Sequence, residues 1–184
     1  SDLIFSAAGI SMDDVVVLYW GNHSDATYVF WALDYLGHPD VRILNGGIEG
    51  WIEHGYELAT GYEDYPVADF KANVNEHRYA ALEYVQANLN NASVDFVDAR
   101  PRAAYEQEHL PVLNDFNLPF SEVFDEDGYL KAPEALNQVV VDTGLAFDRE
   151  VVTYCTRGRL ASQLYWALKV AGHQTVRNFE ASMM

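Results

Sequence analysis

The sequence predicts an α/β protein: a parallel sheet flanked by helices, built as a tandem duplication whose first copy is incomplete. Three observations carry this. Shifted by 135 positions, the segment Gly9 to Arg42 lies on Gly144 to Arg177 without a gap, and 13 of 34 positions are identical. In the first copy a short apolar run is followed by a stretch with helical spacing and then a second short apolar run, and the second copy repeats the first run and the helix, the order of a parallel sheet with helical crossovers. The second copy is preceded by some 70 residues of domain and the first by eight, so half a domain is expected to be lacking at the N-terminus, as in a piece of a longer protein.

In the first copy, Val15-Val16-Val17-Leu18-Tyr19 is a continuous apolar run, as expected for a strand buried on both faces. A polar turn, Gly21-Asn22-His23-Ser24, leads into helical spacing from Ala26 to Leu36, closed by Gly37. Val41 to Leu44 reads as a second strand, and Gly46-Gly47 opens a helix around Trp51 that ends near Gly55. Positions 59–75, with Gly61 and Pro66, read as a linker between residues 1–58, the C-terminal half of one domain, and residues 76–184, a second domain without a final helix.

In the second domain, His77 to Leu89 has helical periodicity, and Val94 to Val97 reads as a strand ending at Asp98-Ala99-Arg100. His109 to Phe120 reads as extended. Pro133 is expected at the first position of a helix running to about Val141. Val151 to Tyr154 repeats the first strand, and Leu160 to Ala171 is the helix after it.

Composition bounds the function. The 184 residues carry 28 acidic and 11 basic side chains, a formal charge of −17, and only three of the basic residues are lysines. Such a field argues against nucleic acid and anionic membranes as partners, and any anion site needs concentrated local positive charge. No apolar run reaches the length of a membrane span and the first residues are no signal peptide. The lone cysteine, Cys155, forbids an intrachain disulfide and suits a reducing compartment, which points to the cytoplasm. No His/Cys/Asp/Glu set has metal spacing and no glycine pattern matches a nucleotide loop, so no cofactor is expected.

The copies differ at one decisive position, where the second has Cys155 and the first has Trp20. Cys155 follows a strand and precedes a helix. Across Thr156-Arg157-Gly158-Arg159 the loop offers successive backbone N–H groups and a helix N-terminus, a geometry that binds anions and favours a thiolate. Arg157 and Arg159 add positive charge, and Gly158 permits a tight fold. A thiolate in an anion cradle suits attack on an anionic electrophile. His38 and His173, like Trp31 and Trp166, occur in both copies and read as packing residues, as does Trp20. His109 reads as a turn residue.

These residues resemble the rhodanese (thiosulfate sulfurtransferase) family, in particular its two-domain members, in which an inactive domain repeats an active one. Asp98-Ala99-Arg100, His109-Leu110-Pro111, Asn117-Leu118-Pro119-Phe120 and Tyr154-Cys155-Thr156-Arg157-Gly158 each resemble a family segment. Glu180-Ala181-Ser182-Met183 stands where the family closes on Asp-Gly-Ser-Trp, Leu160 stands where Arg or Thr is usual, and Ala104 replaces an arginine that some members carry. The resemblance implies a rhodanese-like fold and transfer of the outer sulfur of thiosulfate through a Cys155 persulfide. It implies substrate contacts from Arg157, Arg159, Thr156, Gly158 and Arg100, and a small anionic sulfur donor with a thiophilic acceptor such as cyanide or a thiol. The alternatives are 3-mercaptopyruvate sulfurtransfer and a non-catalytic sulfur-carrier or binding module. A phosphatase of the Cys-x5-Arg type is disfavoured because Ala161 occupies the arginine position.

Overall fold

The computed structural model describes residues 2–20, 23–61 and 63–183 and divides into two compact units, Ser1–Asn75 and Glu76–Met184.

The first unit runs α1 (Asp2–Ala7), β1 (Val16–Leu18), α2 (His23–Tyr35), β2 (Val41–Ile43) and α3 (Gly47–Glu53). β1 and β2 pair in parallel with Val16 opposite Val41, and α2 is the crossover between them. Val16, Leu33, Leu36 and Phe70 form the core, with Phe5, Ile10 and Val29 against it. The glycine and asparagine of the turn before α2 lie outside the described residues. β1 is not buried on both faces. Val15, Val17 and Tyr19, which alternate onto one face, are all more than half exposed, whereas Val16 on the other face is buried in the core. Much of the expected linker packs on this unit: Phe70 is buried, Ala68 and Phe70 donate N–H bonds to the carbonyl and hydroxyl of Ser6, and Asn73 and Asn75 donate to Leu36 and Tyr35 carbonyls.

The second unit holds α4 (Leu82–Asn88), β3 (Val94–Asp98), α5 (Arg102–Gln107), β4 (Asp115–Asn117), α6 (Pro133–Thr143), β5 (Glu150–Tyr154), α7 (Arg159–Val170) and β6 (Val176–Asn178). Its sheet is parallel throughout, in the order β4-β3-β5-β6. β3 and β5 are central, so their residues from Val151 to Tyr154 and from Val94 to Asp98 are all buried, including Asp95 and Asp98. Pro133 does start α6, which ends on Gly144 at φ 90°.

The helix expected over 77–89 is interrupted. Glu76–Arg78 forms a 3-10 turn, Tyr79 bridges to Asn178 and the Ala80 N–H bonds the Asn178 carbonyl, so the chain serves β6 before α4 begins. Four short elements lack a sequence signal strong enough to anticipate them: α1, α5, β4 and β6. The repeat reaches one of them, β6, and α1 lies just before it. β6 is β2 shifted by 135, and α1 shifted by 135 falls on positions 137–142, inside α6. The two copies thus share helix, strand, helix and strand in one order.

No helix of the described residues is long and apolar enough to cross a membrane.

Candidate active site

Parallel strands end their sheet in a row of C-terminal loops, and ligands of open α/β sheets bind there. β5 delivers Cys155 to that edge, beside Ala99 and Arg100 after β3. The Ala99 N–H bonds the Tyr154 carbonyl and the Phe120 N–H bonds the Ala99 carbonyl, which locks the three C-terminal loops together. Cys155 itself is buried, at 1% exposure. Thr156, Arg157 and Arg159 beside it are exposed.

The loop closes tightly onto the start of α7. Gly158 sits at φ 74°, and a Cβ there would come within 2.8 Å of the Glu180 backbone. Its carbonyl accepts the first helical bond from Ser162 and a second from the Asn178 side chain. Its N–H, like that of Cys155, donates to the Ser182 hydroxyl, at 3.1 and 3.0 Å. Ser182 in turn donates to the Phe179 carbonyl at 2.7 Å. Among the described residues, the N–H groups of Thr156 and Arg157 donate to no protein acceptor. The loop therefore turns two amides onto a serine and leaves two others without an acceptor among the described residues. No side chain of Arg157 is tied into an ion pair among the described residues.

Of the residues expected in the site, Thr156, Arg157, Gly158 and Arg159 follow Cys155 through the loop into the start of α7. Arg100 lies within electrostatic reach of Cys155, but its guanidinium is committed elsewhere. It makes a close fork on Asp98 (2.6 to 3.0 Å) and a bond to the Glu108 carbonyl. The Asp98 hydrogen bonds, above all, hold Arg100 charged, with smaller help from Tyr154 and Cys155. Asp98 also accepts the Arg100 N–H, and the Asn117 side chain donates to the carbonyls of both. This buried pair braces the turn after β3. Arg102 lies on α5 and lines a separate cavity of about 400 Å³ with Tyr105, Asp115 and Asp142.

Behind the cysteine, Tyr154 donates its hydroxyl to Asp115 at 2.8 Å and accepts the Leu110 N–H. Burial raises the Asp115 carboxyl to about 6, with the Tyr154 bond opposing. His109 stacks on Tyr105, and its Nδ1 lies 3.0 Å from the Tyr105 carbonyl. Among the described residues no group of three His, Cys, Asp or Glu could hold a metal ion.

Sequence reasoning missed Ser182 and Asn178. The signal was available, since Ser182 is the one residue of the closing segment that keeps its family counterpart.

A parallel α/β unit occurring twice, with a thiol on the strand-to-helix loop of one copy only, defines a duplicated cysteine-loop protein. The chain belongs to the rhodanese family: residues 2–54 and 81–184 match the Rhodanese-like domain. It is similar to a provisionally named thiosulfate sulfurtransferase of Saccharopolyspora erythraea, 32% identical over 97% of this chain and 69% of the relative. It is also similar to the sulfur carrier protein TtuD of Thermus thermophilus, 30% identical over 95% of this chain and 68% of the relative. Among solved structures, SseA of Escherichia coli, described with the rhodanese fold of 3-mercaptopyruvate sulfotransferases, superposes with a TM-score of 0.85 at 24% identity. That match covers 98% of this chain and 70% of SseA. Tum1 of Saccharomyces cerevisiae gives 0.81 at 21% identity, covering 99% and 69%.

Proposed function

We propose that this protein is a sulfurtransferase that carries the outer sulfur of thiosulfate on Cys155. The observation behind this reading is a buried thiol beneath free loop amides and two exposed arginines, on a chain whose net charge is −17. That local reversal of charge favours a small anion.

In the first half-reaction the Cys155 thiolate attacks the outer sulfur of thiosulfate. A Cys–S bond forms, the donor S–S bond breaks, and its electron pair leaves on sulfite. In the second, an acceptor nucleophile such as cyanide or a thiolate attacks the outer sulfur of the persulfide and Cys155 departs as thiolate. The amides of Thr156 and Arg157 stabilise the anionic sulfur in both steps, and the α7 N-terminus adds its dipole. Arg157 and Arg159 hold the sulfonate end. Gly158 gives the loop its curvature. Arg100 acts through the turn it braces. Because Cys155 is buried, the reacting atom must be a terminal sulfur narrow enough to enter the loop. The sulfur-carrier name of the Thermus relative supports a second reading, in which the loaded persulfide is handed to a protein acceptor; the first half-reaction is the same. Mercaptopyruvate is the other donor to be compared.

Incubation with thiosulfate followed by intact mass measurement tests the proposal. One added sulfur per chain and one sulfite released are expected, both abolished in Cys155→Ser. A folded protein that takes up no sulfur from thiosulfate overturns the thiosulfate reading, and uptake from mercaptopyruvate alone reassigns the donor.

A further inference from the structure

The duplication supplies a comparison inside one molecule. Ser182 shifted by 135 is Gly47, Phe179 is Leu44 and Cys155 is Trp20. The turn has the same backbone in both copies: Gly47 lies at φ 60° and Ser182 at φ 53°. The left-handed region suits glycine, and Ser182 is the one non-glycine residue there among the described residues. The first copy closes its turn with a backbone bond, Gly47 N–H to Leu44 carbonyl at 3.0 Å. In the second copy a side chain does this: the Ser182 hydroxyl donates to the Phe179 carbonyl. A Cβ on Gly47 would strike the Trp20 indole at 2.6 Å. So the cysteine copy alone has room for a side chain here, and accepts a strained residue to place one.

The hydroxyl gains a specific arrangement from that strain. It gives its proton to Phe179 and presents its lone pairs to the amides of Cys155 and Gly158. It is buried, at 6% exposure, so water does not compete for either amide. Two amides of a five-residue loop pointing at one buried oxygen fix the loop's curl, and the amides between them, Thr156 and Arg157, are thereby left for sulfur. Without the oxygen, the Cys155 and Gly158 amides would be buried donors with no acceptor. The loop would then rearrange to pair them.

We propose that Ser182 is a positioning residue of the cysteine loop, whose hydroxyl sets the loop amides toward the reacting sulfur; this rests on the sulfurtransfer reading of Cys155. The role is indirect: Ser182 touches the loop backbone and no reacting atom.

Two variants test it. Ser182→Gly relieves the backbone strain, and Gly47 shows that glycine fits this turn, so the fold is retained. Ser182→Ala keeps the strain and removes the hydroxyl. Both are expected to lower kcat for sulfur transfer from thiosulfate about tenfold with little change in KM, the size of one lost positioning hydrogen bond. Both should also change the rate of Cys155 alkylation by iodoacetamide at fixed pH, while Ser182→Gly melts within a few degrees of the parent. Wild-type kcat and alkylation rate in a folded Ser182→Gly protein would overturn the proposal, as would a loss confined to KM. The alkylation measurement needs no sulfur donor. A parent protein that fails to load sulfur therefore sinks the sulfurtransfer reading while alkylation still decides the role of Ser182.

Discussion

Gly158 and Glu180 are in backbone contact: a methyl group on the Gly158 Cα would lie 2.8 Å from both the Cα and the carbonyl oxygen of Glu180. The loop after β5 and the turn after β6 are thus pressed together with no side chain between them. Neither surface is the end of a flexible chain, so neither can yield cheaply. Gly158→Ala adds this overlap to the cost of an alanine at φ 74°, on the order of 1–3 kcal/mol. A lowered melting temperature and at least a tenfold loss of sulfur loading are expected, read by calorimetry and intact mass.

Arg157 and Arg159 are exposed, so their attraction for an anion acts through solvent and is screened by salt. Each alanine variant should raise KM for thiosulfate by roughly two- to fivefold at low ionic strength, with less effect on kcat. The double variant should lose most of the salt dependence. Steady-state kinetics at two ionic strengths decides this; a salt dependence equal to the parent's would remove the arginines from donor binding.

Trp20 occupies the position of Cys155 in the first copy and is buried against Gly47 and the edge of His23. Replacing so large a buried side chain with cysteine leaves a cavity, at about 3–5 kcal/mol. Trp20→Cys in a Cys155→Ser background should therefore melt lower and take up no sulfur from thiosulfate. A sulfur adduct on that protein would show that a thiol on such a loop needs no neighbouring arginine.

Half-buried Asp115 and buried His173 should move stability in opposite directions as the pH falls. Burial holds the folded Asp115 carboxyl at about 6 against an ordinary 3.8. Between about pH 6 and 4 the folded state therefore binds the extra proton, and this contribution rises as pH falls. Burial lowers His173 from 6.5, with Asp95 opposing, so the unfolded chain protonates first and stability is lost as pH falls below 6.5. Asp115→Asn should be neutral or slightly stabilising at pH 7, on the order of 1 kcal/mol because the carboxyl is partly solvated. It should then lose the gain on acidification. His173→Asn should show a flatter acid limb than the parent. Urea midpoints at pH 7 and pH 5 distinguish the signs.

The cysteine loop was legible because its parts are consecutive: one strand end, one glycine, two arginines and a helix start lie within six residues. What holds the loop was not legible, because Ser182 is 27 positions away and contacts it through an oxygen that no periodicity reports. Arg100 was expected to face substrate. Its nearness to Asp98 carried the other signal, since the turn that starts after β3 brings the two charges onto each other and the Asp98 carboxylate also accepts the Arg100 N–H. Burial of β1 on both faces was inferred from apolar character alone. β1 and β5 are alike in sequence, but one face of β1, carrying Val15, Val17 and Tyr19, is exposed, whereas Val151 to Tyr154 of β5 are buried on both faces. Three-residue strands such as Asp115–Asn117 are below the length at which alternation can be recognised.

The repeated histidine turns one molecule into its own reference sample. His38 has its Nε2 3.0 Å from the Ser11 carbonyl and its Nδ1 3.3 Å from the Asp40 amide. His173, 135 positions on, lies under Phe147 at 4.3 Å with neither ring nitrogen hydrogen-bonded among the described residues. A single nitrogen NMR spectrum thus carries the same residue on the same structural corner in a bonded and an unbonded state. Temperature, ionic strength and buffer are identical for both, so the difference between the two imidazoles reports their surroundings alone: two hydrogen bonds at His38, and a closer aromatic stack with Asp95 nearby at His173.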